Sequence, residues 1–324
     1  MVEYIEETHT SVIVQKNENS VHALIVNPYT NVTERSDNIG STNHEPLLSI
    51  RDQTFERGQL KENSVIIFVH IPKTGGTTVS NNIEFHSPVS MNFFSHIHGG
   101  NKMWRRGKIY MDDYCRTNTK KAAKSVFIEI HTLAPSFVKL QDQLQAWRSN
   151  ATANGKDFFV FTILREPVSW AMSVFNHVHY NKVKELRANR SNQTAVNSVL
   201  RENAQENPQC TFLAHSWQYT VPKGKRWSPK KEDCDLVYSS LKNQADFVGT
   251  TERLHETTEM LKFLLDLPSN YTFQHENSGI TNTAGAYIQT DEMTNETLQY
   301  HKEISLLDYE LYENVQREWS LRYA

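Results

Sequence analysis

Cysteine is scarce in this chain, whose 324 residues include three: Cys115, Cys210 and Cys234. Three cysteines are too few for a disulfide scaffold, and their spacing fits no zinc module. Cys210 and Cys234 flank a loop-like stretch and would form a bridge in a secretory protein, whereas all three would be buried thiols in a reducing compartment. The sequence leaves both interpretations open.

Strong charge and long apolar runs are also missing. A net charge of −3 and a pI near 6.5 argue against a surface that binds polyanions throughout, so an anionic partner would need a local patch. No apolar run reaches about 18 residues, and no basic segment followed by an apolar core opens the chain, so we expect neither a membrane span nor a signal peptide. Six N-x-Ser/Thr sequons are compatible with a lumenal glycoprotein: Asn31, Asn150, Asn189, Asn192, Asn270 and Asn295.

The pattern of apolar residues divides the chain near residue 60. Residues 1–60 are polar and rich in Asn, Ser, Thr and Glu, so we predict a poorly structured N-terminal arm, with one catalytic domain over 61–324. Strand-like runs then alternate with helix-period segments, which predicts an α/β fold, a three-layer sandwich around a central parallel sheet. The predicted strands are 64–71, 125–131, 158–164 and a short run at 246–250, and the predicted helices are 77–85, 134–148, 167–180, 252–266 and 303–318.

The turn after the first of these strands reads "PKTGGTT". At the carboxyl end of a parallel strand, glycines let the main chain approach a ligand, and a helix N-terminus presents unpaired N–H groups to an anion. The turn is not a Walker A loop, because its lysine precedes the glycines, and we expect no bound metal. The candidate residues for binding phosphate or sulfate are Lys73, Thr74, Gly75, Gly76, Thr77 and Thr78.

A second segment, "FVFTILREPVSWAMSVF" (159–175), ends a strand in Arg165 and opens a helix at Pro167. Proline suits the first turn of a helix, and Glu166 suits its N-terminal edge. Arg165 can fork onto a phosphate while Ser173, two helical turns on, donates a hydroxyl to the same group.

These two segments together resemble the nucleotide-binding motifs of the Golgi carbohydrate sulfotransferases, above all the heparan sulfate 2-O and 6-O, uronyl 2-O and galactose 3-O groups. The similarity extends more loosely over residues 64–319. It implies a P-loop-NTPase-like sulfotransferase fold, the co-substrate 3′-phosphoadenosine 5′-phosphosulfate (PAPS), and transfer to a carbohydrate hydroxyl in the Golgi lumen or at the Golgi membrane. In that scheme Lys73 stabilises the leaving 5′-phosphate, Arg165 and Ser173 bind the 3′-phosphate, and no nucleic acid is a partner.

A general base must accept the proton of the acceptor hydroxyl. His131 ends the second predicted strand, and related sulfotransferases place a catalytic histidine between the two motifs. Strand alternation puts Glu129 on the same face as His131, and some sulfotransferases use glutamate instead. We favour His131, with Glu129 as the second candidate and a purely structural role for both as the third.

The acceptor is indicated less directly. The segment "VPKGKRWSPKK" (221–231) combines basic residues with a tryptophan, a composition that suits an anionic sugar chain but also an ordinary solvated loop. Alternative functions are a soluble cytoplasmic sulfotransferase for small molecules, an ATP-dependent phosphotransferase and a non-catalytic polyanion-binding module. The candidate acceptor residues are Lys223, Lys225, Arg226 and Trp227.

Overall fold

The computed structural model describes residues 2–7, 10–17, 20–26, 59–86, 91–94, 101–118, 124–131, 136–188, 193–215, 225–274 and 287–323. Near the N-terminus, strands β1 (Val2–Glu7), β2 (Thr10–Asn17) and β3 (Ser20–Val26) pair in antiparallel fashion in the order β1-β2-β3. The expected poorly structured arm therefore contains a small sheet that the sequence analysis did not anticipate. The domain boundary near residue 60 stays a prediction.

The central sheet has five parallel strands in the order β5-β6-β4-β7-β8. The predicted parallel sheet is confirmed, since the three long apolar runs form its three inner strands, and such runs suit strands that are covered on both faces. The four-residue edge strand β5 was not predicted. The strands are β4 (Val65–His70), β5 (Met91–Phe94), β6 (Ser125–His131), β7 (Phe158–Leu164) and β8 (Phe247–Thr250).

Helices cover both faces of this sheet. The predicted helix at 303–318 is two helices in the structure, because the chain turns at Ser305. Short non-α helical turns cover Asn82–His86, Thr251–Arg253 and Thr290–Glu292. The described α-helices are α1 (Gly76–Asn81), α2 (Asn101–Arg116), α3 (Phe137–Ala153), α4 (Pro167–Val178), α5 (Tyr180–Ala188), α6 (Gln193–Asn203), α7 (Pro208–Ala214), α8 (Lys231–Gln244), α9 (Leu254–Leu264), α10 (Asn295–Ile304) and α11 (Leu306–Tyr323).

Alternating residues of β4 enter two separate hydrophobic cores. Val65, Ile67 and Val69 pack with buried residues of α2, α3, α7, α8 and α11. Ile66 and Phe68 pack on the other face with residues of α1 and α9. This alternation produces the three-layer sandwich that the apolar pattern predicts.

A disulfide joins Cys210 on α7 to Cys234 on α8, with 5.6 Å between the two Cα atoms. Of the two alternatives that the sequence leaves open, a bridge or free thiols, the structure therefore has the bridge for this pair. Cys115 is a free buried thiol, and burial raises its pKa to about 12. None of the helices in the described ranges is both long and apolar enough to cross a bilayer.

Candidate active site

The turn between β4 and α1 lies at the carboxyl end of the central strand. Its form comes from its own residues: the Thr74 hydroxyl donates to the Ile71 carbonyl oxygen at 2.7 Å, and Gly75 adopts a left-handed φ of 85°. Lys73 also has a positive φ of 68°, which is uncommon for a residue with a side chain. The Trp170 indole N–H donates to the Pro72 carbonyl oxygen at 2.8 Å and ties the turn to α4.

The predicted anion-binding residues of this turn are differently placed. Thr74 is fully buried and its hydroxyl serves the turn itself. Thr77 is exposed and Thr78 buried, both on α1. Gly76 lets the main chain pack directly against the His70 ring, because a Cβ atom at residue 76 would lie 2.0 Å from that ring.

Arg165 follows β7 directly and lies beside this turn. Its Nη1 atom donates to the Lys73 carbonyl oxygen at 3.1 Å, so the two segments singled out in the sequence meet. The next residue, Glu166, caps α4 as predicted: its carboxylate accepts from the N–H groups of Val168 and Ser169.

Ser173 is half-buried on α4, two turns after its start, and His177 follows one turn later on the same face. Partial desolvation and then the charge of Lys73 lower the pKa of His177. His177 therefore lies close enough to Lys73 to be influenced by its charge, and Ser173 is one helical turn before His177.

The two cations of the site are partly desolvated. Burial and then the neighbouring Arg165 lower the pKa of Lys73. Burial also lowers the pKa of Arg165, against the opposing charges of Glu252 and Glu166. The Arg165 Nε atom is buried, and its N–H donates to no acceptor among the described residues. Such a cationic pocket favours a bound anion.

A histidine that the sequence analysis missed, His70, lies at the end of β4. Its Nδ1 atom is 2.5 Å from Oε1 of Glu129, a side chain of β6 that is 1% exposed. The rings of His70 and His131 are 4.4 Å apart between centroids, because these residues are opposite each other in the β4–β6 register. Glu129 is thus buried beside His70, while His131 is half-buried at the carboxyl end of the inner strand β6. The feature of the sequence that could have identified His70 is its position at the end of the strand, just before the glycine turn.

The basic segment at 221–231 is described from Lys225 onward, and Lys223 lies outside the described residues. Lys225 is exposed, and the Arg226 guanidinium donates to the Ala204 carbonyl oxygen at 3.4 Å. Trp227 stacks on His215 with 5.1 Å between ring centroids. Burial and then the charge of Arg226 lower the pKa of His179, the residue at the end of α4, so this segment borders the same helix as Ser173.

In parallel α/β sheets, ligands bind at the carboxyl ends of the strands, and a glycine turn, a lysine and an arginine at the ends of neighbouring strands are the arrangement typical of phosphate-binding sites in nucleotide-binding proteins. The model of the sulfotransferase family matches residues 59–317 of the chain. The protein therefore belongs to the sulfotransferase family, and the resemblance of the two motifs is confirmed. Its activity is sulfuryl transfer, for which the family uses PAPS as the sulfate donor. No curated protein sequence matches the chain significantly.

No cluster of three or more potential metal ligands occurs in the part of the chain that the structure describes. The histidines of "HIHGG" (96–100) lie outside that part. The two segments meet through Arg165 and the main chain of Lys73, and two neighbouring cations suit an anion rather than a metal ion.

Proposed function

We propose that this sulfotransferase moves the sulfuryl group of PAPS to a hydroxyl group of a carbohydrate acceptor, with His131 as the general base. The observation that carries the proposal is the hydrogen bond from Arg165 to the main chain of Lys73, which joins the two predicted nucleotide-binding segments at one place. The two turns could then hold the two phosphate-bearing ends of one nucleotide.

The residues present fit such a nucleotide. Lys73 and Arg165 are both partly buried, and a desolvated cation gains more from an anionic ligand than an exposed one does. The turn leads directly into α1, and a helix N-terminus presents main-chain N–H groups to which an anionic oxygen can bind. We assign Lys73 and the residues 74–78 to the 5′-phosphosulfate, and Arg165 with Ser173 to the 3′-phosphate.

The base assignment rests on exposure. His131 is half-buried at the end of β6, whereas Glu129 is 1% exposed and hydrogen-bonded to His70. His131 would accept the proton of the acceptor hydroxyl as that oxygen bonds to sulfur, and Lys73 would stabilise the negative charge left on the 5′-phosphate. PAPS supplies the activated sulfuryl group.

An anionic sugar is the acceptor class that we favour. Arg226 and Trp227 lie near the end of α4 and combine a cation with an aromatic ring, which suits a charged sugar. We assign acceptor binding to Lys223, Lys225, Arg226 and Trp227. The alternative is a small-molecule acceptor such as a phenol.

We also propose the Golgi lumen or Golgi membrane as the compartment. The Cys210–Cys234 disulfide supports an oxidising compartment, because cytosolic proteins rarely keep disulfides. The sequons in the chain are compatible with this assignment.

The first test is calorimetric binding of the product 3′-phosphoadenosine 5′-phosphate (PAP) without magnesium, with ATP as the comparison ligand. We expect PAP to bind selectively, and Arg165→Ala to weaken binding by about 100-fold, as loss of a charged hydrogen bond does. Lys182→Ala, which changes an exposed lysine on α5, is the matched control. Tighter binding of ATP with magnesium would refute the proposal in favour of a phosphotransferase.

The second test separates binding from chemistry. His131→Ala should bind PAP like the wild type but lose transfer from PAPS to sulfated or carboxylated sugars by about 1,000-fold. His255→Ala, on the exposed side of α9, is the control. Transfer to phenols without transfer to sugars would overturn the carbohydrate assignment, and full activity of His131→Ala would overturn the base.

A further inference from the structure

We propose that Gln209 is a positioning residue for the donor nucleotide: its side-chain amide holds the main chain of Arg165 and so keeps the guanidinium beside the Lys73 turn. The Arg165 N–H donates to Gln209 Oε1 at 2.9 Å, and Gln209 Nε2 donates to the Arg165 carbonyl oxygen at 2.7 Å. The inference rests on the proposed role of Arg165 in binding the 3′-phosphate.

The main chain at Arg165 needs such a partner because it lies beyond the sheet. Strand β7 ends at Leu164, which is opposite Thr250 in the β7–β8 register, and Pro167 then opens α4. A main-chain N–H and C=O in this position lose their strand partners before helix bonds can replace them. Gln209 supplies both partners from another element.

Other side chains satisfy the remaining group of each of the two peptide units that flank the Arg165 Cα atom. The Thr251 hydroxyl donates to the Leu164 carbonyl oxygen at 3.1 Å, and the Glu166 N–H donates to Glu252 Oε1 at 3.1 Å. The two peptide units that flank the Arg165 Cα atom are therefore held by three side chains, and Gln209 is the one that bonds to both units. Gln209 would therefore act on the bound nucleotide only through Arg165.

The side chain at residue 209 must both accept and donate a hydrogen bond, and a carboxamide does both. Gln209 is 1% exposed and makes one hydrogen bond as acceptor and one as donor. Glutamate keeps the acceptor and loses the donor, and leucine keeps the approximate size and loses both. Asparagine is one methylene shorter and does not span the same distance.

Gln209 is itself rigidly held by α11 and α8. The main-chain N–H groups of Gln209 and Cys210 donate to the two carboxylate oxygens of Asp308 at 2.9 and 2.8 Å. In return, Asn207 Oδ1 accepts from the N–H groups of Leu307 and Asp308 at 2.9 and 3.1 Å. The Cys210–Cys234 disulfide adds a covalent link directly beside Gln209. These contacts fix the start of α7, and with it the reach of the Gln209 amide.

The consequence for Arg165 follows from its second contact. Its guanidinium donates to the Lys73 carbonyl oxygen, and its Nε atom is buried. If the main chain of Arg165 moves, the guanidinium moves relative to the Lys73 turn, and the two halves of the nucleotide site no longer match one ligand. Loss of Gln209 should therefore weaken nucleotide binding without removing a charge from the site.

The test is a double-mutant cycle on PAP binding with Gln209→Leu and Arg165→Ala. In the wild-type background we expect Gln209→Leu to raise the Kd for PAP about tenfold, because a displaced Arg165 keeps its charge but loses its alignment with the ligand. In the Arg165→Ala background it should have no further effect. Adenosine 5′-phosphate, which lacks the 3′-phosphate, should bind equally to wild type and Gln209→Leu. With PAPS, KM should rise while kcat changes little.

Gln141→Leu is the matched control, since Gln141 on α3 donates to Ser240 on α8 and not to the main chain of Arg165. Gln209→Glu provides a second variant if leucine prevents folding, and it should also weaken PAP binding. An unchanged Kd in Gln209→Leu, or an equal loss with and without Arg165, would overturn the positioning role. Failure of the wild type to bind PAP would instead refute the proposed function, and this inference with it.

Discussion

The two turns of the proposed nucleotide site are built in opposite ways. In the turn after β4, Thr74 bonds to Ile71 three positions earlier, and Gly75 supplies the left-handed φ. In the turn after β7, the main chain of residues 164–166 is held by side chains that lie 44, 86 and 87 positions away along the chain. The first turn is a local structure, whereas the second depends on the packing of the helical layer.

This difference separates what can damage each turn. A change in the first turn acts at once on the residues that would contact the nucleotide. The second turn can be disturbed from α7, α11 or the segment after β8, none of which need touch a ligand. Variants in the two regions should therefore differ in how binding and stability respond.

The largest effect is expected for Gly76→Ala in the first turn. A Cβ atom at residue 76 would lie 2.0 Å from His70, so this ring must move away from Glu129. Breaking a buried pair of this kind costs about 4 kcal/mol, and we expect both a lower melting temperature and loss of measurable PAP binding. Calorimetry and thermal melts measure the two effects.

The control is Gly155→Ala. Gly155 also has a positive φ, of 71°, but it follows α3, at the opposite end of β7 from Arg165. Its substitution should lower stability by about 1 kcal/mol and leave PAP binding intact. Normal PAP binding by Gly76→Ala would show that the first turn is not the anion site.

The second prediction removes the covalent support of the second turn. Replacing Cys210 and Cys234 by serine opens a bridge between residues 24 positions apart, which should lower the free energy of unfolding by about 3 kcal/mol. Because Gln209 is adjacent to the bridge, PAP affinity should fall as well, by about threefold. Urea denaturation and calorimetry measure these changes.

Dithiothreitol added to the wild type should reproduce the effect and should do nothing further to the double serine variant. If the disulfide is removed and stability falls while PAP affinity stays unchanged, the disulfide supports the fold without supporting Arg165.

The contrast between the turns also explains how far the sequence could be interpreted. Lys73, Gly75 and Gly76 stand together in a short segment, so their pattern indicates an anion site directly. The same holds for Arg165 with the capping residue Glu166 and the first helical residue Pro167. Structure of this kind can be predicted because the residues that form it are neighbours in the sequence.

The remaining parts could not be predicted, because they depend on contacts between distant segments. Nothing in the residues around Gln209 indicates that its amide meets Arg165, since that contact exists only when α7 packs beside β7. The edge strand β5 was missed because four residues give too short a pattern. The break at Ser305 was missed because neither glycine nor proline marks it.

The third prediction concerns Asp308, which anchors the start of α7. Burial raises the pKa of Asp308 from 3.8 to about 7, against the two N–H groups that it accepts from. Between these values the native state holds a proton that the unfolded chain lacks, so this group's contribution to stability is fully present below pH 3.8 and is lost as the pH rises through about 7.

Asp308→Asn removes this titration. The melting temperature of the wild type minus that of the variant should therefore fall as the pH rises from about 4 to about 7 and level off above that, and scanning calorimetry in matched buffers measures it. A difference that is constant with pH would show that the buried carboxyl does not titrate in this range. The result shows whether the contacts that hold the second turn depend on pH, unlike the local contacts of the first turn.

The smallest effect is expected for Glu252→Gln, which alters the second turn without removing its hydrogen-bonding atoms. Glutamine keeps one acceptor for the Glu166 N–H, and the Tyr312 hydroxyl, which now donates to Glu252, can accept instead. Stability should fall by about 0.5 kcal/mol. Glu252 acts on Arg165 through its negative charge, which repels an anionic ligand. Removing that charge should raise PAP affinity about twofold at low salt.

Glu256→Gln, which changes an exposed partner of Arg253, is the control in calorimetric titrations at two salt concentrations. A fall in affinity as large as that of Gln209→Leu would mean that Glu252 positions Arg165 as strongly as Gln209 does, and that the second turn has no single dominant support.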